Sequence, residues 1–326
     1  MRSVYFARLA RIERAEHTVG HKQRKTQTGR TAPTSTGRGT SRGWIVAVVV
    51  AALALVGVFQ SSRSAPPSEA APTAVPTSMP ASSPSATTAS TGPDVRTLRV
   101  DVLREFSHER DAYTQGLVWW NDQLFESTGR IGDSTLRRLD PQTGEVRQRI
   151  DIAQQYFGEG LALVDERLIM LTWRAERAFT FDRRSFEALD TYRYRGEGWG
   201  LCLDGDRLVM SDGTDRLTFR DPVTFEPIGE QRVTLRGQPL PKLNELECVD
   251  GTVYANVWED DFLVRINPKN GRVTDVIDAA GLLQGDDLVG SEVLNGIAYN
   301  PDADTFYLTG KWWPKMFEVQ FVPVER

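Results

Sequence analysis

From residue 113 onward the chain repeats itself, and the repeat limits its fold more than any other feature. Five segments share one pattern: TQGLVWW (114–120), GEGLALV (158–164), GWGLCLD (198–204), NELECVD (244–250) and NGIAYNP (295–301). Each leads through a polar turn into a second run: QLFEST, RLIMLTW, RLVMSDG, TVYANVW and TFYLTGKWW. A third run, a further turn and a fourth run follow, as in TLRRLD then PQTGE, or FLVRIN then PKNGR. The equivalent positions Gly116, Gly160, Gly200, Leu246 and Gly296 lie 44, 40, 46 and 50 residues apart. Four-stranded units of that length predict an all-β fold, a five-bladed β-propeller with four-stranded blades. The last unit stops after its third strand, MFEVQFV, whereas LRVDVLREF (98–106) precedes the first unit without a blade of its own. The N-terminal strand is expected to supply the missing fourth strand and close the ring, which removes the open sheet edges. A helical turn is expected only around Ile277 to Leu283.

Composition divides the chain before that repeat begins. Residues 1–43 carry ten Lys and Arg against Glu13 and Glu16, a net +8, with no apolar pattern able to build a core. They read as a disordered basic tail. Residues 44–60 begin with the uncharged run WIVAVVVAALALVGVF and read as a transmembrane helix at the short end of the usual range. The basic flank puts the N-terminus in the cytoplasm and the folded domain outside. A cleaved leader normally has a shorter charged region, so a retained single-pass anchor is expected; Ser64-Ala65 leaves a cleavage site open. Residues 61–93, rich in Pro, Ser, Thr and Ala, read as an extended linker. Residues 94–326 then form the propeller with a net charge of −13, which makes nucleic acid a poor partner. A monomer is expected.

The stretch FGEGLALVDERLIMLTW (157–173) shows how the repeat places chemistry. Two short apolar runs flank the turn at Asp165-Glu166-Arg167, so Glu159 and Trp173 stand at the same end of a hairpin. In a propeller, every first strand starts on the face to which every second strand returns. Gln115, Glu159, Trp199, Asn244 with Glu245, and Asn295 precede or open the first strands; Trp173, Trp258 and Lys311 close second strands. Packing alone would favour similar small or apolar residues at equivalent positions. These differ from unit to unit and all hydrogen-bond, which marks one face as a pocket. Singly, each has a plainer reading: a packing Trp, a turn Asn, a salt-bridged Glu.

The motifs YTQGL (113–117), LFESTG (124–129), FGEGL (157–161), LTW (171–173), GEGWGL (196–201), LNELE (243–247), ANVW (255–258) and LNGIA (294–298) resemble the plant-type glutaminyl-peptide cyclotransferase family, five-bladed propellers also found in bacteria. The resemblance covers nearly all of residues 100–322. It implies cyclisation of an N-terminal glutamine to pyroglutamate with release of ammonia, on peptide or protein substrates and without a cofactor. It also implies a site at Glu159, Trp173, Trp199, Asn244, Trp258 and Lys311, with Gln115 and Tyr113 nearby; many members have Phe at the last of these. In that chemistry Glu159 takes the amine proton and returns it to the leaving ammonia. Lys311, Asn244 and Gln115 are candidate oxyanion donors. Tyr113, Gln115, Trp173, Trp199, Trp258 and Asn295 are the candidate substrate-binding residues.

Two other readings use the same face. A non-catalytic propeller could bind peptide N-termini or a partner protein there. A propeller lactonase or esterase would hold a metal at the axis, and Gln115, Glu159 and Asn295 could ligate calcium. A His-based metal site is not available, because His108 is the one histidine of the propeller, and Cys202 and Cys248 do not make a metal motif. No metal is expected. These cysteines occupy matching positions on neighbouring first strands, where strand divergence favours two free buried thiols over a bridge.

Overall fold

A computed structural model describes residues 95–324. The expected tail (1–43), membrane helix (44–60) and linker (61–93) lie outside the described residues. The described chain is all-β apart from one 3-10 turn, Gly285–Leu288, just beyond the turn expected from sequence. Strand β1 (Arg96–Ser107) is followed by β2 (Thr114–Trp119), β3 (Leu124–Thr128), β4 (Thr135–Leu139) and β5 (Val146–Asp151), of which β2–β5 form one antiparallel sheet. The next two sheets are β6 (Gly158–Val164) with β7 (Arg167–Thr172), β8 (Arg177–Asp182) and β9 (Ala188–Arg193), and β10 (Leu201–Asp204) with β11 (Arg207–Ser211), β12 (Arg216–Arg220) and β13 (Pro227–Arg232). A short hairpin, β14 (Thr234–Leu235) and β15 (Gln238–Pro239), leads to β16 (Leu243–Val249), β17 (Thr252–Val257), β18 (Phe262–Asn267) and β19 (Arg272–Asp278). The chain ends with β20 (Leu294–Asn300), β21 (Thr305–Gly310) and β22 (Lys315–Pro323).

Strand β1 behaves as the truncated last unit requires. It runs antiparallel along β22, from Leu98 opposite Pro323 to Ser107 opposite Lys315. It also does something the repeat does not announce: Arg96 to Arg99 pair in parallel with Asp275 to Asp278 of β19. The last two groups of strands thereby fuse into one ten-stranded sheet. Arg96 reaches the buried Asp275 at 2.6 Å, and Arg104 reaches Glu318 at 2.6 Å, so charge pairing fixes the register at both ends of β1. The first strands touch in turn, β2 against β6, β6 against β10, β10 against β16, β16 against β20 and β20 against β2. Four-stranded antiparallel sheets in that cyclic order make a propeller-like fold.

Local turn chemistry explains the sheets. Between first and second strands, two-residue loops leave Asp165, Gly205, Asp250 and Gly251 at φ of 54°, 62°, 47° and 71°, as strand twist demands of tight hairpins. Between third and fourth strands, Asp140, Asp182 and Asp221 each accept N–H groups from two and three residues on. Four residues after each Asp the chain turns left-handed: Gly144 at 75°, Phe186 at 58° and Phe225 at 63°. The strain at the two phenylalanines is offset by burial between sheets, Phe186 against Phe125 and Phe225 stacked 5.2 Å from Tyr192.

The repeated glycine has a steric reason. A Cβ on Gly160 would sit 2.6 Å from the Leu201 nitrogen and the Trp199 oxygen of the next first strand. Gly116 would meet the backbone of Leu161, and Gly200 the carbonyl of Asn244, in the same way. Because these atoms are backbone, no side chain can move aside. Hydrogen bonds use the closeness: Gly160 N–H donates to Trp199 oxygen at 2.7 Å, and the hydroxyls of Ser127 and Ser211 donate to the carbonyls of Glu159 and Asn244 at 2.6 Å each.

The cysteines correct the expectation drawn from their positions. Cys202 and Cys248 form a disulfide between β10 and β16, with Cα atoms 5.5 Å apart. The same close approach of first strands that requires glycine elsewhere brings this pair within bridging reach.

Two outcomes follow. Gly160→Ala should lower the unfolding free energy by roughly 1–3 kcal/mol through overpacking against backbone, read from urea midpoints; an unchanged midpoint would show the strands free to part. Because the chain has no other cysteine, denatured but unreduced protein should take up no thiol reagent, and Cys202→Ser with Cys248→Ser should cost about 2–4 kcal/mol of stability.

Candidate active site

The expected site residues gather where first strands begin and second strands end. Glu159, second residue of β6, is buried, and its carboxylate has no hydrogen bond and no ion pair within 4 Å among the described residues. Burial pushes its pKa well above the usual carboxylate range; the charge of Lys311 opposes the shift and that of Glu197 adds to it. Lys311, just past β21, is equally buried, and its Nζ lies 4.9 Å from the centre of the Tyr113 ring. Desolvation lowers the Lys311 pKa, against the pull of Glu159 and Glu292. The site thus holds a carboxylate drawn towards its neutral form and an ammonium drawn the same way.

Aromatic side chains connect this pair to the rest of the pocket. Tyr113 packs against Trp312 at 4.9 Å and Phe157 at 6.1 Å, and Phe157 stands 5.6 Å from Trp173. The Tyr113 hydroxyl donates to Glu292 at 2.9 Å; burial and that carboxylate raise its pKa. On the far side, Trp199 and Trp258 meet edge to face at 5.6 Å. Lys242 Nζ lies 5.7 Å over the Trp258 ring. The indole N–H groups of Trp173 and Trp199 converge on one oxygen, Oε2 of Glu197, at 2.7 and 2.9 Å.

The amide side chains of Asn295 and Asn244 each keep a buried Oδ1 that finds no partner among the described residues. Asn295 donates from Nδ2 to the Thr114 carbonyl at 3.0 Å and to Gln115 Oε1 at 3.1 Å, so it orients Gln115 across two first strands. The backbone carbonyl of Asn244 accepts the Ser211 hydroxyl at 2.6 Å.

Two further carboxylates of the same face are already committed. Glu245 accepts the backbone N–H of Leu117 at 3.3 Å and of Ile297 at 2.8 Å, stitching β16 to β2 and β20. Glu126 is buried beneath the site, 2.8 Å from His108 Nε2, and accepts the Thr114 hydroxyl at 2.7 Å. Burial would raise its pKa, but His108 and Arg137 more than offset this and hold it low. His108 Nδ1 also faces the Trp313 carbonyl at 2.8 Å, so the pair ties the Lys311 loop to the start of β2. Among the described residues, no three His, Cys, Asp or Glu side chains cluster as a metal-binding set.

Sequence reasoning missed Glu197, Glu292, Phe157 and Trp312. For Glu197 a signal was present. It stands two residues before Trp199, and alternate residues of an extended chain share a side. Glu292 gave no such signal, because it reaches Tyr113 from a loop 179 positions away.

The Glutamine cyclotransferase family profile matches residues 74–321. The glutaminyl-peptide cyclotransferase of Arabidopsis thaliana is 40% identical over 230 residues, which is 69% of this chain and 72% of the plant protein. The crystal structure of Myxococcus xanthus glutaminyl cyclase is 39% identical, with a TM-score of 0.65, and the match covers 71% of this chain and 100% of that one. The chain carrying this buried Glu159 and Lys311 is an enzyme that belongs to the glutamine cyclotransferase family.

Proposed function

We propose that this enzyme cyclises the N-terminal glutamine of peptides or proteins to pyroglutamate and releases ammonia, using Glu159 as general base and acid. The observation that carries the reading is the buried Glu159 carboxylate, free of hydrogen bonds and facing the Lys311 ammonium. In the proposed sequence, the neutral α-amine nitrogen attacks the γ-carboxamide carbon, forming the ring C–N bond. Its surplus proton passes to Glu159. The oxyanion is met by Lys311 Nζ and the Asn244 amide. Glu159 then returns the proton to the departing amide nitrogen, the second C–N bond breaks, and ammonia leaves. Trp173, Trp199 and Trp258 exclude water and hold the substrate side chain folded towards its own amine, which supplies the proximity the ring closure needs. Tyr113 and Gln115 line the remaining wall, and Asn295 acts on the substrate through Gln115. Every proton and electron pair in these steps is handled by side chains, so the chemistry requires no metal.

The same reading takes the sheets as five blades of a monomeric propeller, closed by β1. It extends to residues 44–60 as a single-pass anchor, with residues 1–43 cytoplasmic, 61–93 a tether and the catalytic domain outside the membrane. The basic flank and the uncharged run support this.

Incubating the enzyme with a glutamine-initiated peptide and following loss of one ammonia by mass tests the reading. Wild-type kcat/KM should rise with pH as Glu159 loses its proton, at a pH above the ordinary carboxylate range. It should fall again as Lys311 loses its own, below the ordinary lysine range. Glu159→Gln should lower turnover by at least ~10²-fold and remove the Glu159 part of the rising limb, leaving the part due to the substrate amine near its unperturbed pKa of about 7.7–8.0. Lys311→Met should also slow turnover but keep that limb, displaced upward because an opposing charge is gone. Near-normal turnover in Glu159→Gln would give the base role to another group.

A further inference from the structure

We propose that Glu197 and Arg174 form a clamp that fixes the two indoles walling the glutamine side chain, which makes Glu197 a positioning residue for the cyclisation. This rests on the function proposed above. Both oxygens of Glu197 are engaged: Oε2 accepts the N–H groups of Trp173 and Trp199, and Oε1 accepts Arg174 Nε at 2.7 Å. The Arg174 guanidinium also lies 3.8 Å over the Trp173 ring. Trp173 is therefore gripped at its edge by the carboxylate and on its face by the carboxylate's own partner. Trp199 is gripped at its edge by the same oxygen. Its ring rests against the backbone of Gly213, where a Cβ would approach to 2.6 Å, and against Trp258.

A carboxylate with both oxygens engaged by three N–H donors and its pKa held low by them is a poor proton acceptor for substrate. Burial alone would raise that pKa; the bonds from Trp199, Arg174 and Trp173 more than offset it. Glu159, which has none of these bonds, goes the other way. The two carboxylates thus divide the work, one orienting walls and one moving protons. Glu197 also acts on Glu159 through its charge. The groups that face Glu159 are Lys311 beyond β21, Glu197 before β10, Tyr113 before β2 and Tyr194 after β9. Of these, Glu197 is the anion, so removing its charge should let Glu159 lose its proton at lower pH.

Two variants separate orientation from charge. In Glu197→Gln the amide oxygen can still accept both indole N–H groups, but the charge is gone. In Glu197→Ala both are gone. The rising limb of the kcat/KM profile should move to lower pH in both. Only the alanine variant should lose about tenfold or more in kcat/KM, with altered tryptophan emission because two indoles lose their acceptor. Arg174→Ala keeps the anion, so its limb should not move down. Urea midpoints identify a variant that fails to fold; if Glu197→Ala does, Arg174→Ala carries the test, since losing the grip on Trp173 should lower kcat/KM and alter emission, and wild-type values of both would overturn the clamp. A folded Glu197→Ala enzyme with wild-type kcat/KM, limb position and emission would overturn the clamp. A wild-type enzyme that turns over no glutamine-initiated peptide would instead overturn the proposed function. Emission then decides the clamp without turnover: changed emission in Glu197→Ala sustains the grip on the indoles, and unchanged emission removes it.

Discussion

Backbone meeting backbone between neighbouring first strands is the constraint on which the molecule depends. At Gly116, Gly160 and Gly200 the strands come so close that a single Cβ would collide with the next strand's main chain. The residue before each glycine, Gln115, Glu159 or Trp199, is thereby carried to the end of the strand where the others converge. The seryl hydroxyls of β3 and β11 then hold the carbonyls of Glu159 and Asn244 in the adjacent sheet. A site built in this way is rigid because its backbone is shared between sheets, which is the preorganisation that electrostatic catalysis requires. The disulfide between β10 and β16 exploits the same closeness.

Rigidity permits an arrangement that a looser fold would relax. A buried carboxylate ordinarily recruits donors, as Glu197 does from two indoles and a guanidinium, or as Glu245 does from two backbone amides. Glu159 has none, although Lys311 is near enough to oppose its pKa shift. A carboxyl buried without donors is drawn to its neutral form instead. The β1 closure has strands on both sides of it and an ion pair near each end.

Much of this was legible in the chain. The spacing of Gly116, Gly160, Gly200 and Gly296 announces repeated four-strand units, and the truncated last unit asks for the strand that β1 supplies. Glu159, Trp173, Trp199, Trp258 and Lys311 were each readable as one face, since period-two alternation and hairpin geometry decide which end of a strand a residue occupies, whereas Tyr113 came only with the family resemblance. Other features were not legible, because they depend on distances between strands and not on periodicity. The Cys202–Cys248 bridge needed the separation of β10 and β16, and the parallel pairing of β1 with β19 needed the reach of Arg96 to Asp275. The hydrogen bond from Asn295 Nδ2 to Gln115 Oε1 joins two first strands, a contact no sequence pattern carries.

The central claim is that the site keeps Glu159 poised to take a proton at a pH where ordinary carboxylates have already lost theirs. Isotope-edited infrared spectroscopy of the wild-type enzyme, with Glu159→Gln subtracted to isolate its carbonyl band, measures that directly. The account predicts a protonated Glu159 band that persists well above the unperturbed glutamate pKa of about 4.3 and disappears at higher pH. A band that disappears near that unperturbed value would contradict it, and would mean that burial opposite Lys311 does not set the chemistry of this site.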